Sequence, residues 1–161
     1  MRVTGILRKT AILGAVGVAL SIMPAAGVSA SATSASGKQR LLQGSCTGNT
    51  HDWFRGRVGA YYEPDGSYDV IEEIRYELVA TKGDSPGKKS NVRLRIRESI
   101  SGKPDKTLYE WESGDNVTPD KWHTHRPYRK VEYKKRWHVD AKFVFDTSGY
   151  DPRCTATTNK A

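Results

Sequence analysis

The 161-residue chain contains only two cysteines and two methionines, and no stretch sustains a helical period. The missing period excludes a helix bundle and an alternating strand–helix fold. Two cysteines are too few for a zinc ribbon or a disulfide-dense scaffold. Four chemical signatures are also absent: the glycine-rich phosphate loop, the nucleophile-elbow serine, the metalloprotease helix and the paired Cys-x-x-Cys. The string Ser85-Pro86-Gly87-Lys88 has serine-x-x-lysine spacing, but it sits in a turn cluster, whereas that chemistry needs a helix. Long apolar runs are missing too. The longest, Ala11 to Met23, covers 13 residues, and a membrane-spanning helix needs roughly 20.

That short run has its own meaning. Arg2, Arg8 and Lys9 precede it, Pro24 interrupts its end, and small residues lead to Val28-Ser29-Ala30 and Ala30-Ser31-Ala32. Charged, apolar and small-residue segments in that order predict a secretory signal peptide over residues 1–30, cleaved after Ala30 or Ala32. Arg8-Lys9 is not a twin-arginine pair, and Cys46 lies too far downstream for a lipoprotein anchor, so the general secretory route is expected. The expected product is soluble and extracellular, with no anchor. Three basic residues and no acidic one leave with the signal, so the formal net charge falls from +8 to +5. That balance favours anionic surfaces but falls short of a nucleic-acid-binding extreme, so no specific nucleic acid is expected as partner.

Residues 31–43, rich in Ser, Ala, Thr and Gly, read as a disordered leader, and residues 44–161 as a single domain. In an oxidising compartment Cys46 and Cys154 are expected to form a disulfide that brings the two ends of the domain together. Closing so long a loop stabilises a fold by roughly 4–5 kcal/mol on the chain-entropy model.

Within the domain, segments rich in Val, Ile, Tyr, Trp and Phe alternate with turn clusters such as Glu63-Pro64-Asp65-Gly66 and Ser101-Gly102-Lys103-Pro104-Asp105. The fold expected is all-β: one antiparallel β-sandwich or small barrel of about six strands in a meander, with a single helical turn at most over Thr118 to Trp122. Val92, Leu94 and Ile96 form an apolar face opposite Arg93, Arg95 and Arg97. In Tyr68 to Ala80 the even positions Tyr68, Val70, Ile74, Tyr76, Leu78 and Ala80 form the apolar face. A long strand from Lys130 to Phe145 puts Val131, Tyr133, Trp137, Val139, Ala141, Phe143 and Phe145 on one side.

Three residues break this phasing: Glu72, Glu98 and Lys135 each fall on an apolar face. A hairpin that pairs Leu78 with Val92, Tyr76 with Leu94 and Ile74 with Ile96 sets Glu72 opposite Glu98. Two facing carboxylates need a proton, a cation or a ligand between them, and Lys135 and Tyr109 are the candidate partners. Such a pair suits general acid–base work, which makes a small secreted hydrolase the alternative function. A bulge or a rim position would instead turn these side chains to solvent.

The stripe Arg93, Arg95 and Arg97, with Lys134 and Arg136 on the long strand, forms the candidate ligand-binding face, because arginine grips phosphate, sulfate and carboxylate in bidentate fashion. Cross-strand pairing with Glu77 and Glu73 is the plain alternative. His123 and His125 have weak metal-ligand spacing, with a third ligand to come from His51, His138 or Asp120, and such a metal site is the other way the chain would serve as a small secreted hydrolase. Trp53, Trp122, Tyr128 and Tyr150 lie near turns, where rings can stack on sugars. The expected function is a monomeric, cofactor-free, non-enzymatic binding protein at the cell envelope, directed at an anionic polymer, a glycan or a protein.

Overall fold

A strand with one dry face requires alternating apolar and polar residues, and nine strands form from that pattern in the computed structural model, which describes residues 38–48, 53–81 and 86–161. The expected signal, most of the leader and His51 lie outside those residues. The strands are β1 (Arg40–Gly48), β2 (Phe54–Pro64), β3 (Tyr68–Ala80), β4 (Asn91–Glu98), β5 (Lys106–Glu112), β6 (His123–His125), β7 (Arg129–Glu132), β8 (Trp137–Val144) and β9 (Arg153–Thr157). β1 begins at Arg40, so Arg40 to Gln43 belong to the fold and not to a leader.

Two antiparallel sheets make a sandwich. The first has the order β1-β2-β3, with β6 and β7 end to end along the far side of β3; the second runs β5-β4-β8-β9. Side chains from both inner faces fill the core, with Trp137, Phe143, Phe145, Ile71, Ile74, Leu78, Leu94 and Ile96 fully buried. Trp137 donates its indole N–H to the Asp69 carboxylate at 2.8 Å, so the largest core ring has its polar edge satisfied.

The two long sides of the sandwich close differently. On one side the Cys46–Cys154 disulfide joins β1 to β9, with Cα atoms 5.8 Å apart. Beside it Gln43 N–H donates to Asn159 Oδ1 at 2.8 Å, and Asn159 N–H donates to the Gln43 carbonyl at 3.1 Å. On the other side, rings bridge β5 and β6. The His125 imidazole lies flat on Trp111 with centroids 4.2 Å apart, and the Tyr109 hydroxyl meets His125 Nε2 at 2.8 Å.

Two expectations about strand pairing are corrected. β3 pairs with β2, β6 and β7, while β4 pairs with β5 and β8, so β3 and β4 lie in different sheets and form no hairpin. The strand foreseen from Lys130 to Phe145 is two strands in different sheets. It breaks at a turn where Lys135 N–H bonds to the Glu132 carbonyl at 2.9 Å. Residues 118–122 form no helical turn; Asp120 has φ +54° and donates its N–H to the Leu78 carbonyl.

Candidate functional site

β4 presents its basic face outward because Val92, Leu94 and Ile96 are drawn into the core. Its two neighbours supply the partners. Arg93 lies between Glu112 of β5 and Lys142 of β8, Arg95 between Glu110 and Asp140, and Arg97 between Thr107 and His138. The Arg93 guanidinium meets Glu112 at 2.9 Å, Arg95 meets Glu110 at 2.8 Å, and Arg97 meets Asp140 at 3.3 Å. Charge pairing across strands thus exists, but not with Glu77 and Glu73. Those two belong to the first sheet, where Glu77 pairs with Arg57 and Glu73 with Arg75 and Arg126.

Between these rows lies a cavity of about 230 Å³, lined by Arg93, Arg95, Arg97, Asp140, Lys142 and Thr155. Four cations face one carboxylate there, while Glu110 and Glu112 hold Arg93 and Arg95 from the β5 side. Lys142 has no ion pair among the described residues, and Arg97 Nε is buried without a hydrogen-bond acceptor. The glutamates are nearly half exposed. Ion pairs of that kind contribute about 0–1 kcal/mol each, so an incoming anion can share or displace them.

Beneath this face His138 is buried. Its Nδ1 lies 3.1 Å from Ser99 Oγ, and its Nε2 lies 3.6 Å from both Asp140 Oδ1 and Asp105 Oδ2. Burial lowers its pKa, against the upward pull of Asp140 and Asp105. Asp140 therefore serves three neighbours: Arg97, His138, and the Thr157 hydroxyl at 2.6 Å. Lys142 shares the outward parity of Lys134 and Arg136 along the chain; Asp140 and Thr155 join it only because β8 lies between β4 and β9.

The remaining candidates are dispersed. Glu72 does not face Glu98, because β3 and β4 lie in different sheets. It is instead the extra residue of a β-bulge: Tyr61 pairs with Glu73 and Tyr62 with Ile71. That bulge also reverses the inward phase, so Asp69 and Ile71 are buried in place of Tyr68, Val70 and Glu72. Lys135 Nζ sits 3.7 Å from Glu98 and 3.6 Å from Glu132. Tyr109 is opposite Ile96 and turns to His125. Lys134 and Arg136 sit in the exposed β7–β8 turn and do not line the cavity.

His123 stacks on Tyr76 and bonds the Thr118 carbonyl through Nε2. Burial lowers the pKa of His125. Among the described residues no group of three or more His, Cys, Asp or Glu side chains is placed to hold a metal ion. Trp53 packs against the core, while Trp122, Tyr128 and Tyr150 are exposed. No family model matches the chain, and neither does any curated protein or solved structure.

Proposed function

We propose that this chain is an extracellular binding protein whose β4–β8 face takes an anionic group of an envelope polymer. The observation that carries the reading is the cavity lined by Arg93, Arg95, Arg97 and Lys142, with Asp140 the one carboxylate residue in its lining. Guanidinium groups donate in a planar fork that matches phosphate, sulfate and carboxylate oxygens, and Lys142 adds a mobile point charge. The signal-like start and the Cys46–Cys154 bridge support an oxidising location. The polymer's charge supplies affinity, and the spacing of the cationic rows along the sheet sets the repeat that fits.

The test is the affinity of the full chain for two probes, heparin and linear polyphosphate. An Arg95→Gln/Lys142→Gln variant should lose about tenfold or more, equivalent to ~1.4 kcal/mol, and affinity should fall steeply with salt. A Lys134→Gln/Arg136→Gln variant should lose much less. Unchanged affinity in the Arg95/Lys142 variant would place the anion elsewhere and end the reading.

A further inference from the structure

The first sheet carries a second cavity, on different chemistry and independent of the anion face. It encloses about 290 Å³, and its lining includes Tyr61, Glu72, Glu73, Arg75, Arg126 and Tyr128. Two irregularities coincide there. The bulge in β3 inserts Glu72, so that two successive carboxylates line one cavity, which regular alternation forbids. Opposite the bulge, the strand beside β3 is interrupted: β6 ends at His125 across from Ile74, and β7 starts at Arg129 across from Ile71. Arg126, Pro127 and Tyr128 fill that gap.

Tyr128 occupies the left-handed region at φ +45°, and the residue is 67% exposed. Bulky residues are rare in that conformation, and one so exposed is not held there by core packing. Its ring is therefore presented at the cavity rather than stored in the fold.

The charges around the cavity cancel. Glu73 bonds both Arg75 and Arg126, the latter at 3.2 Å, and the Arg75 hydrogen bond holds its carboxyl below the usual carboxylate range. Among the described residues Glu72 receives only the Gln39 amide, at 3.3 Å. The Arg75 guanidinium covers the Tyr61 ring, 4.8 Å from its centroid, which leaves Tyr128 as the open aromatic face. Two carboxylates balance two guanidinium groups, so the site has little net charge with which to attract an ion. What it offers is adjacent charged donors and acceptors beside a ring.

We infer that this cavity binds one unit of a neutral saccharide. A sugar hydroxyl is donor and acceptor at once, so neighbouring hydroxyls bridge Glu72 and Arg126 with charge-assisted hydrogen bonds. The apolar face of the sugar ring stacks on Tyr128. The protein thereby holds two distinct features of a glycan: anionic groups on the second sheet and a neutral ring on the first.

The experiment is an amide chemical-shift titration of the full chain with glucose, galactose, mannose and N-acetylglucosamine, and with free glycine as a zwitterionic control. Saturable shifts in the millimolar range are expected for at least one sugar, confined to residues 72–75 and to Arg126 and Tyr128. Tyr128→Ala should weaken binding about tenfold and Glu72→Gln severalfold, with an unchanged melting temperature confirming that each variant is folded. Arg95→Gln/Lys142→Gln should bind the sugar as the native chain does, so failure of the anion face and failure of this site are distinguishable. The inference is overturned if no sugar gives saturable shifts, if glycine binds in their place, or if Tyr128→Ala binds undiminished.

Discussion

Gly56 of β2 lies against the ring of Phe143 on the opposing sheet, so closely that a methyl group on Gly56 would overlap the ring. Phe143 is fully buried and has no free space to yield. Gly56→Ala should therefore cost about 1–3 kcal/mol, read as a lowered denaturation midpoint at constant slope. A stability within experimental error of the native chain would show that the sheets do not approach this closely. Two histidines, His138 buried and His125 half-buried, add a pH signature at the same scale. His125 and His138 both have pKa values lowered by burial. His138 is faced by Asp140, Asp105, Arg97 and Lys160. A lowered pKa means that the unfolded chain binds the proton more readily. Stability is then complete above the ordinary histidine value of 6.5 and is lost as pH falls through and below it. The melting temperature should decline from about pH 7 to pH 5, and less so in His138→Gln. A flat profile would contradict the lowered pKa of both rings.

At the scale of elements, the bulge in β3 decides which residues meet the core. Deleting Glu72 would restore regular pairing and force either Asp69 and Ile71 outward or Ile74, Tyr76 and Leu78 outward. The deletion should destabilise by several kcal/mol, whereas Glu72→Ala should stay within about 0.5 kcal/mol. Equal effects on urea unfolding would mean that the strand has no phase to protect. The sequence made the C-terminal half of β3 legible and misplaced the rest, because a bulge adds a residue without leaving a compositional mark. The long strand to Phe145 shows the complementary case. Its turn at residues 133–136 preserves parity, so Val131, Trp137, Val139, Ala141, Phe143 and Phe145 are all inward although two strands replace one. Alternation reports the face a side chain uses; it carries no information about the lateral neighbour. For that reason the Arg93–Arg97 stripe was visible in the sequence, while Glu110, Glu112 and Asp140 beside it were not.

At the scale of the molecule, the sandwich is held along one side by covalent and backbone bonds and along the other by stacked rings. The Cys46–Cys154 bridge spans 108 residues of sequence. Replacing both cysteines with alanine should lower stability by roughly 4–5 kcal/mol on the chain-entropy model. A loss under about 1 kcal/mol would mean that the Gln43–Asn159 bonds and the core hold the β1–β9 side unaided. The all-β sandwich and its end-to-end disulfide were readable from composition, alternation and two cysteines; the crossing of the chain between sheets was not, since no local residue preference encodes it. Function on this account belongs to the outer face of β4, β8 and β9, and amide shift mapping with inorganic pyrophosphate tests it most directly. The account predicts saturable shifts centred on Arg93, Arg95, Arg97, Lys142 and Thr155 that weaken as salt rises. Shifts centred on Lys134 and Arg136, or none that saturate, would contradict it.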